Sequence, residues 1–564
     1  MLHLCMYIQC STVKRKGKDG RNRKLVESYR DPKTNQPRNR TVQTLEKLPI
    51  LERSRIIYKY GGSKYLDAQE WRALADAGDL AGIQTEFKIG DSIRGAGNWV
   101  LLQYFRTTGL ESILRKYLGR KASHVIRDLI TLQILDPASK LSYVEKRKST
   151  LNYVIGGKVD YKEDSFYQAM DMLENQFENL RDSLHKNLAS NERLLLYDLS
   201  NSYFCGTKAE LGGYGESKEK RYDRYIVSYG LVANEDGLPL DIKVWKGGTA
   251  DVKTVAATFS DWKKKYQASS AIWVADRSMS DEDTLSQIKQ MGLSYITGLP
   301  ASTQKALLKS IHEKTPELFD QPLSEFNKDG RRYILCRHQF KGYRKEKQLH
   351  RHLRKVYDQL KLIRSTPQNK NKEKLYHRAM KVLEKYGQTQ CWKISFDTFK
   401  DNKAEDRYRL NFKLDRQTFK AMKSIGHFYI LQTDIEAKEI PEDQVQQHYK
   451  SLIKVERCFR QAKSDLEIRP IRHHKARRIR GHIYLNFLAL WLVKQIESSW
   501  RARHIYCEVP NKLREWDSRM MLHQILDSNS GQFVEWQWNQ GDLATQTYHE
   551  IQSFQEMDGN LPHL

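Results

Sequence analysis

The sequence lacks the features that mark secreted, zinc-cluster and membrane proteins. Its seven cysteines are scattered, and no C-x-x-C pair occurs, so neither a disulfide framework nor a cysteine-bound zinc site is indicated. The longest apolar run, Ile483–Val493, contains Asn486 and is too short to span a bilayer. The opening residues lack the basic region and long apolar centre of a signal peptide. These absences predict a cytosolic protein in a reducing compartment, with no membrane partner.

Acidic residues are scarce relative to basic ones. The chain has 69 Asp and Glu against 96 Lys and Arg, a net charge of +27 over 564 residues. Such an excess predicts a polyanionic partner, because each phosphate contact releases counterions. A protein that merely has a basic surface, such as a ribosome-associated factor, would share this composition. The length predicts two to four domains, each with its own core.

The first third of the chain divides into a strand-rich and a helical part. Residues 1–94 begin with a basic run and contain two strand-like segments, Lys24–Arg30 and Arg38–Leu45, which predict a basic β-rich module. A basic disordered arm is the alternative for residues 1–24. Residues 95–190 show apolar spacing with a period of 3.6. We interpret them as a helical DNA-binding domain, although a structural bundle would look the same.

From residue 191 to 299 the pattern changes to buried strands. The apolar run Leu194–Tyr197 ends on Asp198, and a second run, Ala271–Ala275, ends on Asp276. Continuous apolar runs are typical of central strands that are buried on both faces. The element order is βββαβαβ. In a mixed sheet the two runs can lie side by side, which would bring the two aspartates together at one edge.

The remaining chain predicts an interrupted core and a tail. Residues 300–425 contain highly charged helices flanked by strand-like segments, and we interpret them as an inserted α+β subdomain. Residues 426–500 return to the core. Residues 501–564 form a C-terminal tail that could serve assembly.

The segment Tyr449–Lys463 is expected to be one helix with a buried and a polar side. At about 100° per residue, its apolar residues fall on one side, which would face a core; these are Val455, Phe459, Ala462 and Leu466. Its polar residues form a ridge beside them; these are Tyr449, Glu456, Arg460 and Lys463. The helix would therefore present one carboxylate at the border of the core.

Asp198, Asp276 and Glu456 together form a donor set that suits a pair of Mg²⁺ ions. Hard cations prefer carboxylate oxygens, and two such ions can promote in-line displacement at phosphorus. Taken alone, an aspartate at the end of a strand is more often a turn or cap residue. The combination of two strand-end aspartates, a helical glutamate and a basic chain favours the metal site.

Six cations lie between the Glu456 segment and the apolar run that begins at Ile483. They are Arg469, Arg472, Lys475, Arg477, Arg478 and Arg480. We interpret them as a phosphate-binding loop, and a solvated turn between helices is the alternative. The neighbouring histidines lack the companion spacing of metal ligands.

Tyr449, Glu456 and Lys463 match the signature Y-x2-R-x3-E-x6-K. Further matching text includes LLLYDLSNSYF around Asp198, VADRSMS around Asp276 and VERCFRQAKSDLEIRPI around Glu456. On these motifs the chain resembles the DDE-type insertion-sequence transposases of the IS-four group, in the branch typified by IS-sixteen-thirty-four. The resemblance covers roughly residues 190–500. Leu452 stands where the signature has arginine, so that phosphate contact would come from Lys450, Lys454 or Arg460, or be absent.

The resemblance implies a ribonuclease-H-like α/β fold and cut-and-paste movement of a DNA element. Asp198, Asp276 and Glu456 would be catalytic metal ligands for Mg²⁺, with Mn²⁺ as a substitute. Double-stranded DNA, at the element ends and at the target, would be bound by a synaptic homodimer in a prokaryotic cytoplasm, associated with the nucleoid. The expected DNA contacts are Tyr449, Arg460, Lys463, Arg469, Arg472, Lys475 and, by stacking on a flipped base, Trp392. A core position is the alternative for Trp392.

Two other functions share parts of this pattern. A decayed transposase copy would be a basic DNA-binding protein without turnover. A structure-selective nuclease would have the same three carboxylates but would not join DNA ends.

Overall fold

The computed structural model describes most of the chain between residues 5 and 554. Excepted are 16–17, 32–35, most of 62–86, 147–160, 186–193, 250–253, 256–257, 260–270, 339–340, 366–370, 401–405, 528–532 and 540. No described helix is long and apolar enough to cross a membrane.

The strands are numbered in chain order. They are β1 (Cys5–Arg15), β2 (Lys18–Arg30), β3 (Pro37–Thr44), β4 (Phe87–Arg94), β5 (Leu194–Tyr203), β6 (Ile226–Ala233), β7 (Pro239–Lys246), β8 (Ile272–Ala275), β9 (Ser294–Gly298), β10 (Leu323–Lys328), β11 (Arg331–Arg337), β12 (Trp392–Lys400), β13 (Asp406–Leu414), β14 (Phe428–Thr433), β15 (Met521–Asp527) and β16 (Phe533–Trp538).

The described α-helices are numbered in the same way. They are α1 (Ile50–Gly61), α2 (Ala96–Thr107), α3 (Leu110–Leu135), α4 (Lys140–Lys146), α5 (Glu163–His185), α6 (Glu282–Gln290), α7 (Ala301–Lys314), α8 (Lys341–Ser365), α9 (Lys372–Lys385), α10 (Arg416–Ile425), α11 (Glu442–Lys450), α12 (Leu452–Ser464), α13 (Ala476–Ala502), α14 (Val509–Arg519) and α15 (Asp542–Phe554).

The largest sheet has eight strands in the order β10-β11-β14-β9-β8-β5-β6-β7. Strand β5 runs antiparallel to β6 and parallel to β8, β6 runs antiparallel to β7, and β8 runs parallel to β9. Strands β5 to β9 therefore lie in the order 3-2-1-4-5, with the second strand antiparallel to the rest. This is the ribonuclease-H-like arrangement, so the predicted α/β fold class is confirmed.

Strand β5 is buried on both sides, as its continuous apolar run predicted. Because side chains alternate along a strand, Leu194 and Leu196 join the core on one face, together with Val455 of α12. Leu195 and Tyr197 join the core on the opposite face. The sheet therefore lies between two apolar layers, and α12 belongs to the first of them.

Strands β10 and β11 extend the core sheet, whereas the sequence placed residues 323–337 in the inserted subdomain. Strand β11 pairs antiparallel with β14 from Arg332↔Thr433 to Arg337↔Phe428. The partner strand comes from the chain that returns after the insertion, so local pattern gives no sign of this pairing. What remains of the insertion is α8, α9, the β12-β13 hairpin and α10, which share a separate core around Leu360 and Leu383.

The two ends of the chain meet in a small sheet of order β16-β15-β4. Strand β4 lies in the predicted N-terminal module, and β15 and β16 lie in the predicted tail. The three-stranded sheet β1-β2-β3 accounts for the strand-rich character of the module. Between these regions, α2, α3, α4 and α5 form the helical part that the 3.6-residue spacing predicted.

Candidate active site

Asp198 and Asp276 lie at the point where two parallel strands stop pairing. The last paired residues are Tyr197 on β5 and Ala275 on β8, so the two aspartates occupy the next positions on neighbouring strands. Adjacent strands are about 4.8 Å apart. Asp198 is two residues beyond Leu196, and Asp276 is two beyond Val274; both of these belong to the core beneath α12. By this alternation the two aspartates lie on the face that carries α12.

Asp198 is in the interior of its strand, which corrects the expectation that the strand ends there. Strand β5 continues to Tyr203 because its antiparallel pairing with β6 extends to Tyr203↔Ile226. Strand β8 stops first, since the chain turns into a 3-10 helix at Arg277–Met279. The early end of β8 leaves one edge of β5 uncovered beside Asp198, whose side chain is 21% exposed.

Glu456 approaches these aspartates from α12, which packs across β5. As predicted, Val455, Phe459 and Ala462 are buried against the sheet, whereas Glu456 itself is exposed. Leu452, at the place of the signature arginine, is buried in the same core. That position faces the sheet and carries no charge toward solvent.

Tyr449 and Glu456 belong to two successive helices, although the sequence predicted one. Helix α11 ends at Lys450 and α12 begins at Leu452, with Ser451 between them. Helix α11 packs against β8 to β11, and α12 packs against β5 and β6. The predicted angular positions hold for the buried residues of α12, whereas Tyr449 lies on α11, which packs on a different part of the sheet.

Tyr449 contacts one of the candidate carboxylates directly. Its hydroxyl donates a hydrogen bond to Asp276 Oδ1 at 3.3 Å. Burial raises the pKa of Tyr449, and the charge of Asp276 raises it further, so the hydroxyl remains a donor. Gly298, at the end of β9, leaves space for this contact: a Cβ atom there would lie 2.9 Å from the Tyr449 hydroxyl. No pattern in the sequence had singled out Gly298.

The three carboxylates share one electrostatic environment. Burial raises the pKa of Asp198, and the negative charges of Asp276 and Glu456 add to that effect. Lys218 and the Leu199 N–H oppose it; the N–H donates to Asp198 Oδ1 at 2.7 Å. A divalent cation would relieve this repulsion, and oxygen donors are the type that Mg²⁺ prefers. The donor set therefore fits Mg²⁺, although no preformed cluster of three or more ligand side chains occurs among the described residues.

The predicted phosphate contacts fall into three groups. Lys463 and Arg469 both contact Glu219, with 3.0 Å between Lys463 Nζ and Glu219 Oε1. Arg460 is exposed and lines a cleft of about 820 Å³ together with Glu456. Arg472 and Lys475 are exposed in the segment that leads into α13.

Three further cations of the same segment hold α5 in place. Arg477 and Arg478 lie beside Asp171, and Arg480 Nε donates to Glu174 Oε1 at 2.6 Å. In this structure these three cations pair with α5, and joint phosphate binding by all six cations stays a prediction.

Trp392 packs in the inserted subdomain. It is 7% exposed, its ring lies 5.8 Å from that of Phe412, and its indole N–H donates to Gln388 at 3.1 Å. To stack on a base, this side chain would have to leave the core that it occupies here. The base contact stays a prediction.

Lys218 and Glu219 contact the site, and the sequence interpretation missed both. Lys218 Nζ lies 3.6 Å from Asp198 Oδ1. Both residues come from a turn between β5 and β6 whose only sequence signal was the preceding glycine-rich stretch, residues 212–215. Charge alternation in a short turn does not reveal which side chains it faces.

Comparison with known proteins assigns a family to the part of the chain that contains the three carboxylates. Residues 189–492, which include all three carboxylates, match the family model described as "Transposase DDE domain". Among curated proteins, none matches the sequence. A solved structure titled "Cryo-EM structure of piggyBac transposase synaptic complex with hairpin DNA (SNHP)" is similar at 8% identity with a TM-score of 0.38. The match covers 76% of this chain and 82% of that one.

Proposed function

The chain belongs to the transposase DDE domain family, and from that premise we propose that it cleaves the ends of an insertion sequence and joins the 3′-hydroxyl ends to target DNA. The observation that carries this proposal is the β5-β8 register, which leaves Asp198 and Asp276 side by side beneath the helix of Glu456. Two-metal phosphoryl transfer needs this kind of convergent carboxylate set.

Each of the three carboxylates has a role in the proposed reaction. Asp198, Asp276 and Glu456 would hold two divalent ions, Mg²⁺ or Mn²⁺, whose chemistry is to activate the attacking oxygen and to stabilise the leaving oxygen. Tyr449 fixes the Asp276 carboxylate through its hydroxyl. The Leu199 N–H donates to Asp198 Oδ1 at 2.7 Å and orients that carboxylate, which favours the pre-organised geometry that in-line transfer requires.

DNA would reach this site along exposed cations. Arg460 is exposed one helical turn beyond Glu456 on α12, and Arg472 and Lys475 are exposed in the segment that follows this helix. Lys454 is engaged elsewhere, donating to the Glu235 carbonyl, so it does not replace the missing signature arginine. We assign that contact to Arg460.

On the sequence resemblance we also place the chain in the IS-four group, in the branch typified by IS-sixteen-thirty-four. The same resemblance supports a homodimer that pairs two element ends in a synaptic complex. It further supports action on DNA in a prokaryotic cytoplasm, in association with the nucleoid.

Replacing both Arg472 and Lys475 by Gln is expected to weaken DNA binding and reduce its salt dependence. Each lost phosphate contact lowers the slope of log K against log [salt] by about 0.9, so the double variant should lose about 1.8. The measurement is a fluorescence anisotropy titration on duplex DNA at several salt concentrations. The matched control, R477Q/R480Q, removes two charges that pair with α5 and should keep the slope. Equal losses in both variants would show that the effect is one of overall charge.

The test of function is an end-joining assay with a supercoiled plasmid target. The substrate is a labelled, precut duplex carrying the inverted repeats that flank the coding region. We expect the label to appear in the plasmid in a reaction that requires Mg²⁺. The same duplex with a 3′-deoxy end is the control and should give no joined product. Nicks without joined label would identify a nuclease, and binding without either product would identify a non-catalytic DNA-binding protein.

A further inference from the structure

The turn formed by residues 216–221 is fixed onto β5 close to Asp198. Asn201 of β5 donates to the Glu216 carbonyl at 2.9 Å and accepts from the Lys218 N–H at 3.2 Å. The Ser217 hydroxyl accepts from the Arg221 N–H at 3.1 Å. Lys220 has a φ of 59°, a left-handed conformation that is uncommon outside glycine and asparagine. These contacts fix where the side chains of Lys218 and Glu219 are directed.

Lys218 places a positive charge against the carboxylate that is proposed to bind metal. Its Nζ lies 3.6 Å from Asp198 Oδ1 and also donates to the Leu199 carbonyl. The side chain is 44% exposed, so it can leave without any rearrangement of the core. A cation bound by Asp198 would compete with this ammonium for the same oxygen.

Glu219 places a negative charge against two cations that are proposed to bind phosphate. One of its carboxylate oxygens lies 3.0 Å from Lys463 Nζ, and the other contacts Arg469 Nη1. The side chains of Glu219 and Lys463 are only 11% and 12% exposed. Lys463 is therefore covered by an internal anion in the position where a phosphate would have to bind.

These two contacts belong to adjacent residues of one turn. Lys218 is positively charged, like a metal ion, and it contacts Asp198, the proposed metal ligand. Glu219 is negatively charged, like a phosphate, and it contacts Lys463 and Arg469, the proposed phosphate-binding residues. We propose that Lys218 and Glu219 are an internal latch that occupies the site in the absence of metal and DNA and is displaced by both. This proposal rests on the proposed function, which assigns a metal ion to Asp198, and on the sequence resemblance, which implies a DNA phosphate contact for Lys463.

The latch predicts that metal and DNA help each other to bind. Lys218 and Glu219 are adjacent in the turn, so we expect that displacement of either side chain weakens the contacts of the other. Because coupling between two binding sites is reciprocal, each ligand then raises the affinity for the other. Whichever ligand binds first has to compete with an intact latch, in which both Lys218 and Glu219 are in place.

The metal half is tested with the full chain and Mn²⁺ alone, with no DNA present. Free Mn²⁺ is measured by electron paramagnetic resonance during titration. K218Q should bind Mn²⁺ about fivefold more tightly, since it removes a positive charge close to a metal ligand. The control K220Q makes the same change of charge at an exposed residue of the same turn and should stay within about twofold of the parent. Unchanged or weaker binding by K218Q would overturn the latch.

The phosphate half is tested by duplex DNA binding without divalent ions. E219Q should bind more tightly, and its salt slope should steepen by about 0.9 for each freed cation that reaches a phosphate. E216Q is the control, because Glu216 is exposed in the same turn. Weaker binding by a folded E219Q would overturn this half. If E219Q does not fold, the Mn²⁺ result for K218Q alone decides, since Lys218 is exposed.

Failure of the latch can be told apart from failure of the proposed function. Neither binding titration depends on cleavage, and the end-joining assay uses the parent chain, in which Lys218 is unchanged. As an internal check, D198N/K218Q should lose the gain in Mn²⁺ affinity that K218Q shows. A gain that persists in this double variant would show that Lys218 competes at some other place and would overturn the latch.

Discussion

The variants D198N, D276N and E456Q should each reduce metal-dependent cleavage of element-end DNA by about 10³-fold or more. Each removes one oxygen donor of the proposed ion pair, and the metals stabilise the transition state by several kcal/mol, where each 1.4 kcal/mol is a factor of ten. Single-turnover cleavage of a labelled end at saturating Mg²⁺ measures the effect. DNA affinity measured without divalent ions should be retained, because these residues carry no positive charge.

The control for these variants is D283N, which removes an exposed carboxylate on the helix that follows Asp276 and should cleave normally. Loss of activity through unfolding is not expected for D198N. Burial and like charges raise the pKa of Asp198, which means that its charged form is unfavourable in the folded state. Cleavage by any of the three variants within about tenfold of the parent would remove that residue from the proposed metal site.

The variant D241N should lower the free energy of unfolding by about 3–5 kcal/mol. Arg181 on α5 donates to Asp241 on β7 at 2.8 Å, and their side chains are only 2% and 5% exposed. Removing one partner of a buried pair leaves the other charge poorly compensated. Arg181 keeps its contact with Asp182, which is 35% exposed and so closer to solvent. Urea unfolding followed by circular dichroism measures the change.

A second ion pair between the same two elements gives the matched comparison. Lys243 on β7 lies 3.1 Å from Glu178 on α5, and these side chains are 27% and 65% exposed. Solvent screens such a pair, so K243Q should cost about 0–1 kcal/mol. Similar losses in D241N and K243Q would mean that burial is not what gives the Arg181–Asp241 pair its importance. A large loss in D241N alone would show that this pair secures the helical region to the catalytic sheet.

Some of the site was accessible from the sequence because it depends on local pattern. Apolar runs ending at Asp198 and Asp276 identified two central strands, and helical spacing identified the buried side of the Glu456 helix. Both patterns report burial, and burial is decided over a few residues. The motif around Glu456 then supplied the family expectation that the match of residues 189–492 supports.

The sequence by itself determined two central strands, the buried side of the Glu456 helix, the three carboxylates as candidates and the basic character that predicts a DNA partner. Only the tertiary structure decided which carboxylates are neighbours, where the helix breaks at Ser451 and which strands extend the sheet, since each depends on pairing between distant segments. It also revealed Lys218 and Glu219, whose partners Asp198 and Lys463 lie on other elements. Charges in a turn have no periodicity, so only folding shows what they face.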